Sequence, residues 1–141
     1  MCSPTRWVVL IVRPINDGLL GGGGFELIGS QLLLEDLILA ARKRYKWMPF
    51  CIDEDWVILD AILTDEEQSK VAAAGCQPMF VFAHKVVHDE QRRFELGDWV
   101  RSTIARIFED GYLFETRNTV YVLKGPGQRK SSSLEGISTI C

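Results

Sequence analysis

The stretch FELGDWVRSTIARIFEDGYLFETRNTVYVLKGPG, Phe94 to Gly127, constrains the fold more than any other part of the chain. It reads as three consecutive strands joined by tight turns. Asp98–Phe108 is rich in β-branched and aromatic residues, and Asp110-Gly111 follows as a turn dipeptide. Tyr112–Thr116 is the second run, and Arg117-Asn118 forms a turn that tolerates positive φ. Thr119–Lys124 is the third, closed by Gly125-Pro126-Gly127, which cannot continue a ladder. Both parities of the third run are apolar: Val120 and Val122 on one side, Tyr121 and Leu123 on the other. Trp99, Val100, Ile104 and Ile107 are mixed in the same way. Such a pattern implies a sheet covered on both faces or curled into a small barrel, rather than a sheet with one wet face.

The preceding segments supply helices. Gln31–Tyr45 carries Leu33, Leu34, Leu37, Ile38, Ala41 and Tyr45 at the spacing of one helical face, with Ser30 placed to cap it. Glu35 and Asp36 near its start and Arg42, Lys43 and Arg44 near its end complement the helix dipole, which is the plain explanation of that basic trio. Ile52-Asp53-Glu54-Asp55 reads as an acidic turn, and Trp56–Leu63 as a strand interrupted by Asp60. Thr64-Asp65-Glu66-Glu67 has the capping-box pattern, and Gly75 stands ready just past a second helix that only Val71 and small alanines turn inward. Met79–Val87 is a further strand and Asp89–Arg93 a charged loop. The tail from Gln128 begins polar and ends with Leu134, Ile137 and Ile140 at helix-like spacing, or with a short strand over residues 137–140.

The expected fold is therefore α+β: an antiparallel, strongly curved sheet or small SH3-like barrel of about four to six strands with two helices. Residues 1–30 form an arm containing a short apolar run, Trp7–Arg13, and a glycine-rich joint at Gly21–Gly24. Residues 31–141 form the single domain. A chain of 141 residues can bury a core without disulfides or metal. No run approaches a membrane span, and no secretory signal is convincing. Cys2, Cys51, Cys76 and Cys141 follow no zinc spacing, so a reduced, cytoplasmic protein is expected.

No motif carries catalysis or a cofactor. His84 and His88 lie in a strand-like context, about 13 Å apart at ~3.3 Å per residue, too far to share an ion without a bulge. Structural or surface histidines explain them, and a metal or acid–base site with Asp89 or Glu90 is the sharper alternative. Asp53, Glu54, Asp55 and Asp60 lack the calcium-loop pattern. Gly21–Gly24 lacks the P-loop lysine, and the Gly125–Lys130 run is more simply a hairpin end than a phosphate grip. Cys51 and Cys76 sit in apolar settings without an adjacent base.

The net charge of −3 is uneven. Residues 1–90 hold 8 Lys/Arg against 13 Asp/Glu, and residues 91–141 hold 8 against 6. The β-rich half also mixes cations with aromatics: Trp99, Arg101, Tyr112, Arg117, Tyr121, Arg129 and Lys130 are the candidate partner surface. A protein partner, or a second copy in a homodimer, fits best. Nucleic acid is the alternative, and core aromatics with rim arginines are the plainer explanation. The blocks RYKWMPFCIDEDWVILDAILTDEEQ, VFAHKVVHDEQRRFELGDWVRST and FEDGYLFETRNTVYVLKGPGQRK resemble a family of short bacterial proteins known only as a domain of unknown function, over roughly residues 32–141. The resemblance carries no activity, cofactor or catalytic residue. It suggests a setting in mobile or prophage regions, and with it an accessory or inhibitory binding module that is not an enzyme.

Overall fold

The computed structural model describes residues 24–138. The expectations for Trp7–Arg13, Gly21–Gly23, Ile140, Cys2 and Cys141 fall outside them. In chain order the elements are β1 (Phe25–Leu27), α1 (Leu34–Arg44), β2 (Phe50–Ile62), α2 (Asp65–Ala73), β3 (Met79–Asp89), β4 (Val100–Arg101), β5 (Ile107–Glu109), β6 (Leu113–Glu115), β7 (Val120–Leu123), β8 (Gly127–Ser133) and α3 (Leu134–Ser138).

Strand β2 is the spine. Its 13 residues run straight through the acidic tetrad expected to be a turn, because apolar residues flank that tetrad on both sides and are buried against neighbours on both edges. Along one edge β2 pairs antiparallel with β3, from Cys51 opposite Asp89 to Asp60 opposite Met79. Along the other edge it has two neighbours in succession. Phe50–Asp53 pair parallel with β7, and Val57–Ile62 pair parallel with β8. The sheet is therefore mixed, correcting the antiparallel expectation, and it holds eight strands with three helices among the described residues. The hairpins β5–β6 and β6–β7 are antiparallel. Both parallel pairings join strands far apart in sequence, where no local turn chemistry announces the neighbour.

The polar tail was the larger surprise. Gln128–Ser133 is a strand paired with β2 along its length, and its first residues, up to Arg129, also pair with β1 on the other side. Gly127 begins that strand instead of ending the previous one. A Cβ there would lie 2.3 Å from Cδ2 of Trp56, so the residue has no side chain because the indole occupies the space. Trp56, 1% exposed, fills the fork where β7 and β8 part, and its Nε1 donates to the Gly125 carbonyl at 3.1 Å. Burying one such large side chain stabilises by roughly 1.5–3 kcal/mol.

Both faces of the sheet are covered. The interior of the curl holds Trp56, Ile58, Val81, Phe114, Tyr121 and Leu123. On the opposite face Leu37 and Ala41 of α1 pack on Phe50, Ile52, Val120 and Val122. Farther along that face Ile137 of α3 packs on Val57, Leu59, Phe82 and Trp99. The two parities of β7 thus serve two different cores.

Several local expectations need correction. Helix α1 starts after Leu33, with no side-chain cap. Ser30 instead donates its N–H to the Leu123 carbonyl and accepts from the Gly125 N–H, which ties it to the end of β7. The run Asp98–Phe108 is not one strand. Its beginning pairs with β3 and its end with β6, on different parts of the sheet, so the chain leaves the ladder between them. Helix α2 has its capping box, with Glu67 N–H donating to Thr64 Oγ1 at 3.2 Å and Thr64 N–H to Glu67 Oε1 at 2.9 Å, but it buries no residue. Gly75 follows it at φ +74°, as a C′ glycine should. Among the described residues no helix is long and apolar enough to cross a membrane.

Candidate functional site

The seven residues expected to form an aromatic–cationic surface do not come together. Trp99 is buried and stacked on Phe82 with ring centroids 5.6 Å apart. Tyr121 is buried edge-on against Phe114, and Lys130 is buried in β8. Tyr112 packs half-buried between two cores. Arg129 grips Asp60 with two hydrogen bonds of 2.7 and 2.8 Å. Arg101 is exposed and donates to the Ile137 carbonyl at 3.3 Å, while Arg117 is exposed beside a separate depression near Cys76 and Arg106. The reason is geometric. In a sheet covered on both faces, strand aromatics of either parity become core. The charge asymmetry is largely internal too: Lys124 pairs with Glu54 and Arg129 with Asp60, basic half to acidic half. Within the Gly125–Lys130 run, Gly127–Lys130 are laddered in β8, with Arg129 paired to Asp60 and Lys130 buried.

A first cleft lies at a crank in β2. Cys51 and Asp53 share the interior face with Trp56 and Ile58, so the in–out alternation slips by one residue between them. Asp55 marks the slip with φ +53°, a conformation that Asp tolerates better than most residues. On β3 the same slip falls between Ala83 and Val86, both interior. Two matched irregularities of this kind re-aim side chains. Here they bring Asp55 and His84 to the rim of a cleft of about 260 Å³, with Glu26 of β1, Gln128 of β8 and the Pro126-Gly127 turn as its other walls. His84 stands edge-on to Phe82 at 5.0 Å. Burial lowers its pKa, against a smaller pull upward from Asp55, so the ring is neutral at pH 7.

A second cleft, of about 330 Å³, lies between the end of α1 and the end of β3. Glu90 on its wall is shared: His88 Nε2 is 2.8 Å from its Oε1, and Arg42 holds its other oxygen at 2.5 Å. His84 lines the first cleft, and His88 does not join it there. Among the described residues no three His, Cys, Asp or Glu side chains converge to hold a metal ion. Trp47 stands over this second cleft 96% exposed, and the Tyr45 hydroxyl beneath is buried with no hydrogen-bond partner among the described residues. Trp47 was missed in the sequence, although a Trp between a helix end and Pro49 has no apolar periodicity to bury it.

Between the clefts lies a closed polar cluster. Cys51 Sγ donates to Oδ1 of the fully buried Asp53 at 3.0 Å. Burial pushes the Asp53 carboxyl up to about 7, with Asp89 adding to it while Cys51 and Arg93 pull back. Burial, then Asp53, pushes the Cys51 thiol far up, so it stays protonated and is no nucleophile. Asp89 is held by Arg93 Nη2 at 3.0 Å and by the Phe94 N–H at 3.0 Å. Arg93 also donates to Thr119 Oγ1 at 2.9 Å. These bonds tie the end of β3 to the loop after it and to the residue before β7.

Neither a curated protein nor a solved structure matches the chain. A family model does match, over residues 28–139, from the residue after β1 to just past α3. That span takes in the spine strand, the buried cluster and the Trp47 cleft, and it contains the three blocks that carry the resemblance read from the sequence. The chain belongs to the family described as domain of unknown function (DUF6957).

Proposed function

We propose that this protein is a non-catalytic, cytoplasmic protein-binding module whose partner docks on the Trp47 face. The observation that carries this reading is the 96% exposure of an indole beside a cleft of mixed charge. A fully solvated Trp adds nothing to the fold, and Trp, Tyr and Arg dominate the energetics of protein interfaces. Arg42, Lys46 and Glu90 supply a polar rim around the apolar anchor. The nucleic-acid alternative has less support, because several cations of the β-rich half are paired with carboxylates or buried.

The test is Trp47→Ala. Removing this side chain leaves unfolding unchanged within about 0.5 kcal/mol, as for other exposed positions. Against any partner recovered with the wild-type protein, affinity falls by about 2 kcal/mol or more, roughly thirtyfold. Light scattering of both proteins shows whether the partner is a second copy. A partner that binds the variant and the wild type equally well overturns the reading.

A further inference from the structure

We propose that the cleft at the crank of β2 is a binding site for an organic cation, a guanidinium or an alkylammonium group. Three of the residues that line it bring side-chain oxygen acceptors, beside the apolar Trp56, Val57 and Pro126. Glu26 and Asp55 bring two carboxylates, and Gln128 carries a buried Oε1 with no hydrogen-bond partner among the described residues. Pro126 has no N–H to offer. The register sets Glu26 directly opposite Gln128 on adjacent strands, ~4.8 Å apart, a spacing that suits two parallel N–H donors.

Among the described residues no Lys or Arg answers these groups. Neighbouring carboxylates are satisfied: Glu54 takes both Lys85 and Lys124, and Asp60 takes Arg129. Glu26 and Asp55 make no ion pair with Lys or Arg among the described residues. His84 does not substitute for one, since burial keeps its ring neutral. A metal ion is a poor fit, because among the described residues no three His, Cys, Asp or Glu side chains converge there. A delocalised, many-donor cation spans the wider gap. A volume of about 260 Å³ is below that of drug-sized pockets and suits one such head group with its alkyl stem. The αL geometry of Asp55, which few residues other than glycine adopt, holds one of the two carboxylates at the rim.

The head group can belong to a free small molecule or to an Arg or Lys side chain of a partner, and titrations followed by NMR separate the two. Agmatine, a capped Arg pentapeptide and the same peptide with citrulline in place of Arg are added to the full chain. Agmatine and the Arg peptide shift the resonances of Asp55, His84 and Gln128, and the neutral citrulline peptide does not. Equal affinity for agmatine and the Arg peptide assigns the site to a free cation. Tenfold tighter binding of the peptide assigns it to a partner's side chain. Asp55→Asn combined with Glu26→Gln weakens either ligand at least tenfold; Asn keeps the positive φ, and Glu26→Gln alone, at an exposed residue, guards against misfolding. Equal binding of the Arg and citrulline peptides, unchanged binding by the variants, or no shift with any ligand overturns the proposal. Trp47→Ala leaves cation binding unchanged, so failure at one cleft is distinguishable from failure at the other.

Discussion

The buried carboxyl of Asp53 makes the stability of this protein fall as pH rises. Unfolded, the group titrates near 3.8; folded, burial moves it to about 7. A raised folded value means that the native state holds a proton the unfolded chain has already released. The stabilising contribution is complete below pH 4 and is lost as pH climbs through 7. At about 1.4 kcal/mol per pKa unit the whole effect is roughly 4 kcal/mol. Asp53→Asn removes the titration while keeping the volume and leaving an amide oxygen for the Cys51 thiol. Glu67 and Glu90, whose carboxyls are held below the usual range by hydrogen bonds to Thr64 and to Arg42, favour the folded state in the opposite direction. They are present in both proteins and cancel in the difference. Urea unfolding of the two proteins at intervals from pH 4 to 8 therefore shows the variant gaining on the wild type by roughly 4 kcal/mol across that range. Two parallel curves, separated by the same amount at every pH, would refute a protonated Asp53 in the folded interior.

Two further outcomes follow from packing and capping. Gly127→Ala forces a Cβ against the Trp56 indole and costs about 1–3 kcal/mol, while in a Trp56→Leu background the same change costs far less; a double-mutant cycle by chemical denaturation reads a coupling of at least about 1 kcal/mol. Thr64→Ala removes the side-chain cap of α2, costs about 1 kcal/mol, and raises the Glu67 carboxyl only part of the way toward its ordinary range in an NMR titration, because the Thr64 N–H that holds it most is kept.

How much of this was legible beforehand depends on whether a feature is local. The capping box at Thr64, the turn at Asp110-Gly111 and the double-sided burial of Thr119–Leu123 are written in residue types within a few positions of one another. Each is present in the structure. The spine was harder to see. Asp53, Glu54 and Asp55 look like a turn because carboxylates are disfavoured in strands. Their place in β2 is made possible by partners remote in sequence: Cys51 and the buried cluster for Asp53, Lys85 and Lys124 for Glu54, and a kink for Asp55. Ser131–Ser133 likewise carry no strand signal of their own, and the ladder of β2 recruits them. Three members of the candidate surface, Trp99, Tyr121 and Lys130, are buried for the same reason. Residue type alone does not separate Trp99, which stacks in a core, from Trp47, which stands in solvent without apolar periodicity around it; what decides is whether another element covers the residue.

The central claim is that Gly127–Ser133 is a strand joined to β2 beyond the fork filled by Trp56. Amide hydrogen exchange tests it directly. The account predicts that the N–H groups bonded in the ladders of Arg129, Lys130 and Ser131 exchange as slowly as those of Ile58 and Leu59. Exchange across 127–133 at the rate of an unstructured tail, with the amides of β2 still protected, would contradict it.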